Sequence, residues 1–300
     1  MDKQPFFSVI ILTYNRLAFL KLAIESVVNQ RFTDWELLII DDGSTDGTEA
    51  YLASFKENLN IRVIRQKNAG QAASRNVAVK QAYGKYIAFL DDDDYYLPDH
   101  LETFWTFIKE KKEPVAFVRS FVHWEKDGEV VDKQVLNTNT KGNPLMYMIH
   151  GGSAMYPTCS VLHKEIFEHF SFNEEIKVSI DAECWIRILC KYPLLIVPKY
   201  TAVIRQHDGS ISAGNKRTYK EYIKTWKLIL YYDGIKKLLK ERHIERFISK
   251  YYTFLVYANL KERSRNNAIS ALLLSVRYDG RKFFMLETYK LLGKAILGRS

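Results

Sequence analysis

The sequence predicts an α/β fold: a mainly parallel sheet flanked by helices, followed by a helical C-terminal extension. Three observations predict it. Short apolar runs alternate with helical stripes through the first 120 residues. Each of the first four runs ends in a polar cluster. From Lys216 onward the runs give way to long Tyr- and Lys-rich amphipathic stretches.

The elements follow in order. "FSVIIL" (7–12) is nearly continuous in apolar residues, as a strand buried on both faces must be. Leu17, Leu20, Ala23, Ile24, Val27 and Val28 then form a helical stripe. "WELLIID" (35–41) is a second strand, and "GSTDGTEAYLASF" opens a helix after a Gly and Asp turn. "IRVIRQ" (61–66), a helix over "GQAASRNVAVKQAYG" and "KYIAFLD" (85–91) continue the alternation, which implies parallel strands. A helix is expected to start at Pro98. Beyond it, "HWEKDGEVV" reads as a hairpin turned at Asp127-Gly128, and "PTCSVLHKEIFEHF" as a strand running into a helix. "SIDAECWIRILCKY" is a helix turning Ile180, Trp185, Ile188 and Leu189 inward and stopped by Pro193. "PLLIVPKYTAVIRQHDGSIS" returns to strand and ends in a polar loop. The expected division is a domain over 1–214, itself split into halves 1–110 and 111–214, and a basic helical region over 215–300.

With 47% hydrophobic and 26% charged residues among 300, the composition excludes disorder as the main state. Three Cys without CxxC spacing indicate neither a zinc site nor a disulfide framework, and reduced, buried thiols are expected. The start, "MDKQPFFSVIILTYNR", lacks the pattern of a signal peptide, and "AISALLLSV" (268–276) is about half of a membrane span. A cytoplasmic chain is therefore expected. The net charge of +9 is unevenly placed: residues 215–300 hold 20 Lys and Arg against 7 Asp and Glu, while the preceding part is net −4. A basic tail of this kind suits either a solvated helical face or an anionic surface.

Open parallel sheets bind ligands outside the carboxyl ends of their strands. "TYNR", "DDGSTDG", "KNAGQ" and "DDDD" follow strands one to four, so all four clusters fall on one rim. Four consecutive acids, Asp91 to Asp94, repel one another unless a cation or donors are present. Hard divalent cations with a phosphate-bearing ligand meet that need, whereas capping of the following helix by Asp94 or Asp99 accounts for one or two acids only. A calcium loop at "DDGSTDG" would require Glu at its twelfth position, which is Ala53. Neither a Walker loop nor GxGxxG is present.

"SVIILTYNRLAFLKLAIESVVNQRFTDWELLIIDDGSTDGT", "NAGQAASRNVAV" and "GKYIAFLDDDDYYLPDHL" together resemble the family 2 glycosyltransferases. The resemblance is dense over roughly the first 110 residues and weaker to about 212. It implies the GT-A fold, a Rossmann-like α/β sandwich. It places the nucleotide base against Tyr14 and Asp42, an aromatic face and a carboxylate suited to uracil, with Thr13, Asn15 and Gly70 in the same nucleotide-sugar site. The family's Asp-x-Asp motif maps to Asp91 and Asp93, Asp93 being the implied ligand of Mn2+ or Mg2+, and Asp91 or Asp92 holds the ribose. His207 matches a family His near the metal and pyrophosphate. Arg75 either reaches the phosphates or pairs with Asp91. The implied catalytic base is Asp181, with Ile180 where the family commonly has Glu, and Glu183 as the competing carboxylate.

What the resemblance implies is an inverting, metal-dependent transfer from a UDP-sugar to a hydroxyl of a glycan or lipid-linked acceptor in bacterial surface polysaccharide synthesis. Residues 215–300 then rest on the anionic inner face of the membrane. Sugar choice is expected to lie in loops such as 140–160. Two rivals stand beside it: a binding protein of the same fold without catalysis, and a sugar-phosphate nucleotidyltransferase. The latter should carry a Gly-rich loop after strand one, and "TYNRLAFL" has no Gly. Nucleic acid is not an expected partner, because the basic residues form no recognised module.

Overall fold

The computed structural model describes residues 4–55, 57–133, 156–207, 221, 224–226, 228–229, 232–238, 240–261, 263–281 and 286–297. The chain divides into two compact units, Met1–Ser210 and Ile211–Ser300. The sequence-based boundary at 214 and most of the 140–160 loop lie outside the described residues.

The first unit is a mixed sheet with helices. Its strands are β1 (Phe7–Thr13), β2 (Trp35–Asp41), β3 (Ile61–Arg65), β4 (Tyr86–Asp91), β5 (Tyr95–Tyr96), β6 (Phe117–Lys126), β7 (Glu129–Lys133), β8 (Ser160–His163) and β9 (Leu194–Gln206). The helices are α1 (Leu17–Val28), α2 (Thr48–Leu52), α3 (Gln71–Gln81), α4 (His100–Glu110), α5 (Ile166–His169) and α6 (Ile180–Leu189). Spatial order is β3-β2-β1-β4-β8-β6-β9-β5, with β7 paired to β6. The first four strands run parallel, as the alternation requires. β8 then enters antiparallel between β4 and β6, and β9 lies parallel to β6. The sheet is thus parallel on one side and mixed on the other, which period alone does not reveal. This is the α/β sheet flanked by helices that the sequence predicts, with mixed rather than parallel strands at one side.

Burial follows the sequence pattern. All seven residues of β2 are buried, and β1 is buried at six of seven. Leu20, Ala23, Ile24 and Val27 of α1 enter the core, but Val28 is 45% exposed, because it sits past the stripe's edge. In α6, Ile180, Trp185, Ile188 and Leu189 are buried as expected, Trp185 packing among Phe89, Phe117 and Phe172. The hairpin turn is confirmed by Asp127 and Gly128, at φ of 53° and 85° between Lys126 and Glu129. α4 begins at His100, two residues beyond Pro98, and Asp99 makes no side-chain cap. His100 stacks on Tyr96 at 3.6 Å, which joins the start of α4 to β5.

At the opposite end of the sheet, Gly84 shows why a side chain is forbidden there: a Cβ would lie 2.3 Å from the Ser8 backbone nitrogen. Its own N–H donates to Ser8 Oγ at 2.7 Å, and Ser8 Oγ donates to buried Glu36. Cys159 and Cys184 are buried free thiols and Cys190 is half-buried. Burial raises all three, Cys190 to about 11, so they are inert.

The second unit contains α7 (Asp233–Leu238), α8 (Glu241–Lys261), α9 (Arg265–Tyr278) and α10 (Leu286–Leu297). Val256, Leu260, Ala268, Ala271, Leu272 and Leu291 form its core. Ser249 donates to the Ser275 carbonyl at 2.7 Å, a contact that small residues permit by letting α8 and α9 approach closely. Among the described residues, no helix is long and apolar enough to cross a membrane.

Candidate active site

The strand register brings the polar clusters level. Thr13 pairs with Asp41, Leu12 with Asp91 and Asp41 with Arg65, so the four parallel strands end along one line. Asn15, at φ 53°, takes the left-handed conformation that Asn tolerates, and its Oδ1 accepts from Thr45 N at 2.7 Å. The loops after β1 and β2 are thereby tied together. Tyr14 beside it is 48% exposed, an aromatic face open to a ligand. Asp42 is buried and accepts from Ala69 N and Gly70 N at 2.9 Å and from Gln66 Nε2 at 2.7 Å. Three donors leave about one acceptor position on a carboxylate that has roughly four. Gly70 reaches Asp42 at φ 87°, which suits glycine.

The four acids divide their work. Asp91 O accepts from Asp94 N at 3.1 Å, a turn that sends successive side chains in different directions. Asp94 points inward, accepting from Thr158 Oγ1 at 2.5 Å and from Arg205 N at 3.1 Å. It ties the acid turn to the Pro157–Cys159 turn before β8 and to β9, and caps no helix. Asp92 is buried and pairs with Arg16 Nη1 at 3.2 Å. Asp93, 18% exposed, has Oδ2 2.7 Å from Arg16 Nη1 and 3.2 Å from His207 Nε2. Asp91 meets Arg75 Nη2 at 3.2 Å. Desolvation pushes Asp91 up to about 7, with Arg75 opposing it and Asp181, Asp93 and Asp92 adding to it. Asp92 rises to about 6, burial again leading and Arg16 opposing. Asp94 is likewise raised by burial.

On the other side stands Asp181, in the first turn of α6. Ser179 precedes the helix at φ 55° and ψ 34°, a left-handed conformation that costs a non-glycine residue about 1 kcal/mol and turns the chain sharply into the helix. Asp181 Oδ1 lies 3.0 Å from Arg75 Nη1. Burial raises this carboxyl above the usual range and Arg75 opposes the rise, so the group is a stronger proton acceptor than an exposed aspartate. Glu183, two positions on, is spent: it receives Arg187 Nε at 2.7 Å and Nη2 at 2.8 Å. Asp181 is the carboxylate of the pair that faces the acids.

The donors around Asp93 fit a hard divalent cation. Asp93 Oδ2 and His207 Nε2 lie 3.2 Å apart, so a carboxylate oxygen and an imidazole nitrogen would be available together to a divalent cation, in place of the contact that Asp93 makes with Arg16. His207 is held by stacking on Phe19, with ring centroids 4.3 Å apart. Among the described residues no group of three or more His, Cys, Asp or Glu is placed to hold a metal ion. Two residues escaped the sequence reading. Arg16, in "TYNR", neutralises Asp92 and Asp93, and Arg205 Nε donates to the Asp93 carbonyl at 2.5 Å. The only available signal for either was a cation within reach of an acid-rich rim.

Residues 8–170 match the family described as Glycosyl transferase family 2. An uncharacterized glycosyltransferase of Rickettsia felis is 34% identical over 206 residues, which are 68% of this chain and 33% of the relative. The match therefore spans about a third of that relative's length. A GalNAc(5)-diNAcBac-PP-undecaprenol beta-1,3-glucosyltransferase of Campylobacter jejuni is 26% identical over 271 residues, covering 85% of this chain and 82% of that one. Among solved structures, S. aureus TarS 1–349 in complex with UDP-GlcNAc superposes with a TM-score of 0.70 at 20% identity, covering 97% of this chain and 88% of TarS. Mannosyltransferase PcManGT from Pyrobaculum calidifontis, in complex with GDP-Man and Mn2+, gives 0.63 at 16% identity, covering 99% and 81%.

Proposed function

The chain belongs to glycosyl transferase family 2, and from that premise we propose that it moves a sugar from a UDP-sugar to a hydroxyl of a glycan or lipid-linked acceptor, with inversion at the anomeric carbon. The observation that carries the reading is the meeting of Asp91 and Asp181 on the one guanidinium of Arg75. A carboxylate suited to deprotonating an acceptor then stands beside the acids suited to a donor.

Tyr14 stacks on the base, and the remaining acceptor position of Asp42 takes its imide N–H. Thr13, Asn15 and Gly70 shape this pocket, and Asp91 or Asp92 takes the ribose hydroxyls. Asp93 and His207, 3.2 Å apart, are the residues that would hold Mn2+ or Mg2+. Such an ion, when bound, stabilises the charge of a departing diphosphate. Asp181 accepts the proton of the attacking hydroxyl as general base. A single base opposite the leaving group gives direct displacement through an oxocarbenium-like state, hence inversion. The undecaprenol-linked substrate in the name of the Campylobacter relative supports a lipid-linked acceptor, and the UDP-GlcNAc complex of TarS supports a UDP-sugar donor.

The test is a panel of UDP-sugars assayed for UDP release with Mn2+ and with EDTA. Asp181→Asn is expected to bind UDP as the native chain does and to lose at least about 100-fold in turnover, while Asp93→Ala loses Mn2+-dependent UDP binding. Full turnover by Asp181→Asn would remove it from the mechanism, and turnover undiminished by EDTA would remove the metal.

A further inference from the structure

Arg75 lies on α3 with its side chain 4% exposed, and its two terminal nitrogens go to different carboxylates. Nη2 donates to Asp91 Oδ1 at 3.2 Å, at the end of β4. Nη1 lies 3.0 Å from Asp181 Oδ1, at the start of α6. The second contact is an ion pair without hydrogen-bond alignment, since both atoms are buried and neither has a hydrogen-bond partner. Phe172 backs the guanidinium, its ring centroid 5.6 Å from Cζ. Phe172 in turn packs on Trp185 of α6 and accepts through its carbonyl from Asn76, the next residue on α3. The fork is thus fixed from behind and has little freedom to turn.

A hydrogen bond to Asp181 would stabilise its charged form and weaken it as a base. Charge attraction without that bond orients the carboxylate and leaves more of its basicity. With Oδ1 drawn inward and buried, and the side chain still 21% exposed, Oδ2 is the oxygen left to face an acceptor. We propose that Arg75 is a positioning residue for the base: its fork holds Asp181 in a fixed relation to Asp91, so that the acceptor's oxygen meets the sugar bound beside the acids. This rests on the reading of Asp181 as base. A lysine carries its charge at a single point and cannot span both carboxylates.

Arg75→Lys in the full chain tests the assignment, by calorimetric titration with UDP and Mn2+ and by kinetics on the fastest UDP-sugar of the panel. The expected result is UDP affinity and donor KM within about 3-fold of native and kcat lower by about 100-fold, the scale of a misaligned reacting group. In an Asp181→Asn background the same substitution should change the residual rate by less than about 3-fold, because residues that act as a unit are not additive. A native kcat, a loss confined to UDP binding, or an equal loss in both backgrounds would overturn the proposal. Should Arg75→Lys fail to fold, Arg75→Gln is read by the same criteria. An active Asp181→Asn chain would sink the base itself; an inactive one beside a fully active Arg75→Lys would sink only the role given to Arg75.

Discussion

Replacing Asp94 by Ala separates structure from chemistry among the four acids. Asp94 holds two donors in a dry site, Thr158 Oγ1 at 2.5 Å and Arg205 N at 3.1 Å. Each donor left without a partner costs about 1–3 kcal/mol. Part of that is offset, because the native carboxyl is itself penalised by burial. A net loss of about 2–4 kcal/mol follows, and at about 2–4 °C per kcal/mol for a chain of this size the melting temperature falls by roughly 5–15 °C. Asp93 is more exposed and pairs with Arg16 and His207 near the surface, so Asp93→Ala should move the melting temperature by less than about 3 °C. The assay is thermal unfolding followed by near-ultraviolet circular dichroism, paired with UDP titration in Mn2+. An Asp94→Ala chain with native melting and no Mn2+-dependent UDP binding would refute the division and move Asp94 among the ligands.

Two more outcomes follow from charge. In EDTA, lowering the pH from 8 to 6.5 should raise the melting temperature, because Asp91 (about 7) and Asp92 (about 6) begin to bind protons in the folded chain where their unfolded counterparts, at 3.8, stay ionised. A raised folded pKa gives stability that is present at low pH and lost as pH rises through 6 and 7. Below about 6.5 the gain should flatten, since buried His100, pushed down to about 3, loses stability on acidification; a melting temperature constant from pH 8 to 6.5 would contradict this. The excess of positive charge over 215–300 supports peripheral contact with anionic lipid. The full chain should then cosediment with phosphatidylserine vesicles at low salt, and equal cosedimentation with neutral vesicles would exclude an electrostatic contact.

Much of the fold was legible because parallel strands buried on both faces leave unbroken apolar runs, as "FSVIIL" and "WELLIID" do. The rim was legible because such sheets gather polar loops at one end. The antiparallel entry of β8 was not, since "SVLH" has the same composition in either direction. The roles of Asp91 to Asp94 were equally hidden: a run of identical residues has no internal contrast until Thr158 and Arg205 claim one and Arg16 another. Asp181 against Glu183 was half legible. The helical spacing separated their faces, but only Arg187, four residues on, shows that Glu183 is occupied.

β9 is the strand through which late sequence reaches the acid turn. It follows α6 directly, runs beside β6, pairs through Val203 and Ala202 with Tyr95 and Tyr96, and delivers Arg205 to Asp94 and His207 to Asp93. A slip of one residue in its pairing would reverse every side chain along it, so Arg205 and His207 would leave the acids together. An insertion or deletion within Leu194–Gln206 would therefore disturb Asp93 and Asp94 at once, although neither acid lies on this strand.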